Sequence, residues 1–295
     1  SEITDFVDLV TYAREGVQAD GKYWAIPQLG CANILYFRRG DTFLAEARTL
    51  KEMEGTLGQC TYTGDAPTNM TGLMVDLAGS TTTAAVYLDA LHRRTGTYTP
   101  PLTNPLDAQA ISDVRRLMQM GSFPNATADV GPWDRAKWFS QGKARGLMAY
   151  TEAMSVMSED FLKTIGIRVM PLSDSRSTRA LFYSDVIGVN RATQTRGTRN
   201  LAVKLANLIG SREVMEQAVG PDAANPNPQY LMPARHSVFQ NLAQRFPMYR
   251  NMHDLILYND PVMYKLDGNS REWLAAMKKT VVKEVQSNYM CPRPK

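Results

Sequence analysis

Three short segments carry residues whose types and spacing suit chemistry. In Ile26-Pro27-Gln28-Leu29-Gly30-Cys31-Ala32-Asn33, a cysteine follows glycine where an extended segment gives way to a turn. Backbone N–H groups at such a junction favour the thiolate, which makes Cys31 a candidate nucleophile; the plainer reading is a buried structural thiol. No histidine lies close to it in sequence, so a base, carboxylate included, must be brought by the fold. In Tyr150-Thr151-Glu152-Ala153-Met154-Ser155, the acid follows the apolar run Gly146 to Ala149. A carboxylate at the carboxyl end of a strand stands where open α/β sheets place ligands, and apolar surroundings lift its pKa toward a general base's range. The plainer reading of Glu152 is a first-turn acid held by a helix N-terminus. In Phe182-Tyr183-Ser184-Asp185, an aspartate sits inside an apolar strand, where it needs a cation or a fixed donor. Tyr183 shares its strand face, and an aromatic ring beside a carboxylate suits a flat, cationic or hydrogen-bonding heterocycle. The alternative is a core tyrosine and an Asp bonded to an Arg across the sheet. Trp133 and Trp138 flank the Gly131-Pro132 region and either line a cleft or pack a lobe.

The elements that must position these residues alternate short β-branched runs with longer amphipathic stretches, the pattern of an α/β protein. Ala25 to Pro27 and Ile34 to Phe37 read as extended segments on either side of a turn containing Cys31. Leu73 to Leu77 reads as a strand, followed past Gly79 by a helix from about Thr83 to Leu91. Asn104 reads as the N-cap of a helix, with Pro105 at its first position, apolar residues at Ile111, Val114, Leu117 and Met118, and Gly121 at its stop. Further helices are predicted over Asp134 to Gln141, Arg199 to Gly210, Val238 to Phe246 and Arg271 to Gln286. Further strands are predicted over Gly146 to Tyr150, Ile167 to Met170 and Phe182 to Val189. Gly220 to Pro233, rich in Pro and Asn, is too broken for regular structure and separates the α/β part from a helical tail. Gly79-Ser80-Thr81-Thr82-Thr83 offers free N–H groups to an anion but lacks the spacing of a nucleotide loop, so a hydroxyl-capped helix start is the favoured reading.

Composition excludes several classes. The 295 residues hold 33 Lys+Arg against 29 Asp+Glu, a net charge of +4, with 44% hydrophobic and 21% charged residues. That is ordinary globular material, and the basic residues are scattered, which argues against nucleic acid as a partner. No apolar run approaches the length of a membrane span. No basic-then-apolar leader opens the chain, so a signal peptide is either absent or removed. Three cysteines, Cys31, Cys60 and Cys291, lack metal spacing, and His92, His236 and His253 stand apart, so neither a metal nor another cofactor is expected. Asn69-Met70-Thr71 and Asn125-Ala126-Thr127 are sequons.

Gly21-Lys22-Tyr23-Trp24-Ala25-Ile26-Pro27 followed by Ile34-Leu35-Tyr36-Phe37-Arg38-Arg39-Gly40-Asp41 resembles the paired strands of the extracellular solute-binding proteins. Phe139-Ser140-Gln141-Gly142-Lys143-Ala144-Arg145-Gly146-Leu147-Met148 resembles their second-lobe segment, and Leu231-Met232-Pro233-Ala234-Arg235 their later turn, in the same order. The cysteine after "IPQ" resembles one enzyme branch of that fold, the thiaminase I (thiamine pyridinylase) family. The resemblance implies an α/β, two-lobed periplasmic-binding-protein-like (type II) fold with a central ligand cleft and C-terminal helices. It implies Cys31 as nucleophile on the pyrimidine of thiamine, Glu152 as general base, and Tyr150, Tyr183, Asp185 and, more loosely aligned, Trp133 as substrate-binding residues. The partners implied are thiamine and a small amine or thiol acceptor, without nucleic acid or membrane span, in a secreted or periplasmic protein. A non-catalytic solute-binding protein for thiamine or a related heterocycle is the alternative.

On this reading, lobe one spans 1–70 and 184–235, lobe two spans 71–183, and 236–295 is a helical segment packed across lobe one. Two strand crossings join the lobes. Family members carry a strand-helix-strand portion before the "GKYWAIP" segment, whereas some twenty residues precede it here, so another chain is expected to complete lobe one, or the lobe is rebuilt. With Cys31 assigned as nucleophile and the protein exported, cysteine parity pairs Cys60 with Cys291.

Overall fold

The computed structural model describes residues 2–60, 72–77, 79–121, 130–131, 133–177, 179–223, 226–265 and 267–287. Both sequons and Cys291 lie outside these. The chain divides into two compact units, one of Ser1–Ala32 with Leu181–Tyr264, the other of Asn33–Ala180 with Lys265–Lys295.

In chain order, unit 1 opens with α1 (Thr11–Gly16), the short strands β1 (Gln18–Ala19) and β2 (Lys22–Tyr23), and β3 (Ile26–Cys31). Unit 2 follows with β4 (Asn33–Arg38), α2 (Thr42–Glu46), α3 (Leu50–Leu57), β5 (Leu73–Val75), α4 (Ser80–Thr95), α5 (Ala108–Gln119), α6 (Asp134–Ser140), β6 (Gly146–Tyr150), α7 (Glu159–Lys163) and β7 (Ile165–Val169). The chain returns to unit 1 for β8 (Leu181–Ile187), α8 (Ala192–Thr195), α9 (Arg199–Ile209), α10 (Arg212–Val219), β9 (Met232–Pro233), α11 (His236–Arg245), α12 (Met248–Asn259) and β10 (Val262–Met263). It ends in unit 2 with α13 (Gly268–Gln286).

Among the described residues each unit holds one four-stranded sheet, ordered β10-β8-β3-β9 in unit 1 and β5-β6-β4-β7 in unit 2. In unit 1, β3 runs antiparallel to β8, with a register shift between Pro27 and Gly30. Proline has no N–H to give to a ladder, and an irregularity beside it is the usual accommodation. The "LMPAR" turn supplies β9, whose Met232 pairs with Gly30. Its Arg235 is buried and donates to the carbonyls of Gly210, Asp5 and Thr4, tying the first residues and the end of α9 to this turn. In unit 2, β4 lies between β6 and β7. Ile34, Leu35 and Tyr36 are fully buried, as a central strand covered on both faces requires.

Several expectations shift. Residues 33–60, within the stretch assigned to lobe one from the sequence, belong to unit 2, because β4 pairs with β6 and β7 and not with its sequence neighbour β3. The unit boundaries at the second and third passages fall at Ala180/Leu181 and Tyr264/Lys265, so the chain passes between units three times, not two. The C-terminal segment divides: α11 and α12 stay in unit 1, while α13 packs on α4 and α5 of unit 2, with Trp273 stacked on Tyr87 at 5.9 Å. The helix expected from Asn104 starts at Ala108, capped by the Asp107 carboxylate, which accepts from the Ala110 N–H at 2.7 Å. The helix after Gly79 has no side-chain cap at its start.

Candidate active site

Cys31 is the last residue of β3 rather than part of a turn, and it is half-buried and outside any disulfide. Its register partner across the ladder is Tyr183. Residue 30 must be glycine for this: a Cβ there would stand 1.8 Å from the Tyr183 carbonyl oxygen. The Tyr183 ring meets Tyr264 edge-on at 5.7 Å, and the Tyr264 N–H is fixed on the Phe182 carbonyl at 2.8 Å. Tyr12, on α1, is buried with its ring against Phe182 at 5.6 Å. Burial, and then the nearby Cys31 thiol, push the Tyr12 phenol well above its ordinary range, so it stays protonated. Asp185 shares the Tyr183 face of β8 but is exposed. Asp185 therefore needs no cation or fixed donor to offset burial, because β8 emerges into solvent in its second half.

Unit 2 carries the other candidates. β6 ends at Tyr150, whose carbonyl accepts from the Tyr36 hydroxyl at 2.7 Å. The chain then turns into a 3-10 helix, Thr151–Val156, with Glu152 in its first turn. The plainer reading of its position is thus the observed one, yet Glu152 is only half-buried and its Oε2 accepts from the buried Thr151 hydroxyl at 3.0 Å. Ser155 closes the turn by donating to the Glu152 carbonyl at 2.7 Å. Trp133 is half-buried at the start of α6, in the left-handed region at φ 66. Two residues on, the buried Arg135 donates to Asp76 at 3.1 Å, just beyond β5. Because β5 runs parallel to β6, this ion pair fixes the α6 start to the same end of the sheet that delivers Tyr150 and Glu152. Neither Asp76, Arg135 nor Asn33, which faces Tyr150 in the β4–β6 ladder, was singled out from sequence. No local motif marks them; only the pairing of distant strands reveals them.

Unit 1 therefore brings together Cys31, Tyr183 and Asp185, and unit 2 brings Tyr150 and Glu152 together with Trp133 placed on the neighbouring helix. Unit 1 also holds an open cavity of about 740 Å³ lined by Trp24, Ile26, Ile187, Arg191 and Asn207 among others. It lies at the Ile26–Ile187 end of the β3–β8 ladder, some five residues or roughly 16 Å from Cys31, and is not the candidate site. Cys60 is disulfide-bonded, while Cys291, its expected partner, is not among the described residues. Among the described residues, no cluster of three or more His, Cys, Asp or Glu could hold a metal, and no helix is long and apolar enough to cross a membrane.

Residues 32–173 match the family model described as the Thiaminase-1 domain, a stretch that includes Trp133, Tyr150 and Glu152. Thiaminase-1 of Paenibacillus thiaminolyticus is 34% identical over 289 residues, 95% of this chain and 69% of that protein. Among solved structures, the Clostridium botulinum thiaminase I complex with thiamin aligns with a TM-score of 0.86 at 33% identity, covering 97% of this chain and 80% of that one. Thiaminase I from Bacillus thiaminolyticus aligns at 0.85 and 32%, covering 96% and 79%. The maltose-bound Thermotoga maritima protein MalE3, at 0.62 and 15% identity over 98% of this chain and 74% of that one, shares the fold.

Proposed function

The chain belongs to the Thiaminase-1 domain family, and on that premise we propose that it is a thiaminase I-like transferase, displacing the thiazole of thiamine with an amine or thiol acceptor. The observation that carries this is the 34% identity to a thiaminase-1 over 95% of the chain. A half-buried Cys31 outside any disulfide, beside Tyr183, supports the assignment of the nucleophile. Glu152, at the strand end where α/β sheets carry ligand groups, supports the assignment of the base.

In this reading the Glu152 carboxylate takes the Cys31 proton, and the sulfur forms a bond to the electron-poor pyrimidine ring. The bond between the exocyclic methylene and the thiazolium nitrogen then breaks, and thiazole leaves neutral with the electron pair. An amine or thiol acceptor adds to the methylene, gives its proton up through Glu152, and the carbon–sulfur bond breaks to return the free thiol. Tyr150, Tyr183, Asp185 and Trp133 would bind the substrate. Export, to the periplasm or outside the cell, is supported by the disulfide at Cys60, since such bonds persist in oxidising compartments. A further polypeptide completing unit 1 is supported by the exposure there of Trp24, Leu201, Leu205 and Leu208. A native mass above 32.9 kDa for the purified particle would support it, and a strictly monomeric mass would count against it.

The test of the function is thiamine consumption with an amine acceptor. Turnover by the native chain, abolished in Cys31→Ser, supports the transferase reading. Tight thiamine binding without turnover would move the assignment to a solute-binding protein.

A further inference from the structure

Asn33 is the first residue of β4 and is only 6% exposed. It pairs directly with Tyr150 across the β4–β6 ladder, so the two side chains share a face at the end of the sheet that delivers Glu152. Its carboxamide oxygen Oδ1 is buried and has no hydrogen-bond partner among the described residues. Native side chains rarely leave such an acceptor orphaned, because burial without a partner forfeits the hydrogen bonds that water gave it.

The surroundings do not repair the loss. The Tyr36 hydroxyl is committed to the Tyr150 carbonyl, and the Thr151 hydroxyl to Glu152. The strand continues through Ile34 and Leu35, which are fully buried and offer no side-chain donor. A leucine of similar size would fill this place without the penalty, so the fold alone gives no reason for a carboxamide here. An unpartnered acceptor beside Tyr150 fits a ligand that brings a donor.

We propose that Asn33 is a specificity-determining residue whose carboxamide oxygen accepts a hydrogen bond from the exocyclic amino group of the substrate's aminopyrimidine ring. The inference rests on the thiaminase I-like reading. The pyrimidine and thiazole rings carry few donors, and the amino group is the one attached to the ring on which Cys31 and Glu152 act in that reading. The hydrogen bond would distinguish an aminopyrimidine from its desamino analogue, because a site built around a polar group rejects ligands that lack the complement.

The experiment measures dissociation constants for thiamine and for desamino thiamine, with hydrogen in place of the amino group, in a Cys31→Ser background that prevents turnover. Asn33→Leu is added to that background, and melting temperatures are recorded alongside. The parent is expected to prefer thiamine on the order of tenfold or more, and Asn33→Leu to reduce the preference to about threefold or less by weakening thiamine alone. Its melting temperature is expected to hold or rise, since an orphaned polar atom is removed. An unchanged preference, or equal weakening of both ligands, would overturn the role of Asn33. A parent that binds neither ligand would instead overturn the functional reading beneath it. If Asn33→Leu does not fold, Asn33→Ala is held to the same criterion.

Discussion

Cys31 and Tyr183 stand opposite each other in the β3–β8 ladder, and the glycine before the cysteine lets the two backbones come that close. A methyl group at position 30 would collide with a main-chain oxygen, which no rotamer change relieves. Gly30→Ala is therefore expected to destabilise the protein by about 3 kcal/mol, at the upper end for overpacking, and to lower activity by moving Cys31 from Tyr183. Denaturant midpoints and turnover measured together check this; an unchanged midpoint would contradict it.

The Glu152 carboxylate accepts a hydrogen bond from the Thr151 hydroxyl. Thr151→Val keeps the shape and removes the donor, and is expected to cost about 1 kcal/mol in kcat/KM, roughly fivefold. Glu152→Gln removes the proton acceptor itself and is expected to lower kcat by about 10² to 10⁴ with thiamine still bound. Steady-state kinetics on both variants separate a positioning effect from loss of the base.

The His236 and His253 rings of unit 1 share a hydrogen bond of 2.7 Å, one nitrogen donating and the other accepting. Burial lowers the pKa of each, and the neighbouring His236 lowers that of His253 further. The folded state thus binds fewer protons than the unfolded chain once pH falls below the ordinary histidine value of 6.5, so stability present at neutral pH is lost as the medium acidifies. The melting temperature is expected to fall between pH 7.5 and pH 5, and His253→Phe to flatten that decline. Equal slopes for the two proteins would contradict the assignment.

Trp273 anchors α13 to α4 through its stack on Tyr87. It is 2% exposed, and Trp273→Ala is expected to cost about 3–5 kcal/mol of stability. Thermal unfolding reads this directly, and a loss below 1 kcal/mol would mean that the helix is held otherwise.

Local patterns were legible where local physics decides. The strand Gly146–Tyr150 and the helix starting at Arg199 lie where the apolar runs and stops put them. The start of α5 moved because two plausible caps, Asn104 and Asp107, stand three residues apart, and only the hydrogen bond to Ala110 chooses between them. What was not legible depends on residues far apart in the chain. Nothing near β4 announces that it pairs with β6, and with that pairing unseen, the unit boundary, the place of Asn33 and the Asp76–Arg135 pair stayed hidden. Asp185 misled because an apolar neighbourhood in sequence does not require burial in space: the Leu181 end of β8 is buried and its Asp185 end is not. Local chemistry drew out Cys31, Glu152, Tyr183, Asp185 and Trp133 as candidates, while their particular roles, and that of Tyr150, came from family resemblance, and the comparisons show that family.

The central claim is that Cys31 attacks the pyrimidine of thiamine. Intact mass after incubation with thiamine in the absence of an acceptor tests it most directly, on the native chain and on Cys31→Ser. The account predicts a pyrimidine-sized mass increase on the native chain that is missing from Cys31→Ser and is discharged by adding an amine. An adduct that persists in Cys31→Ser, or thiamine cleaved at the native rate by that variant, would contradict it.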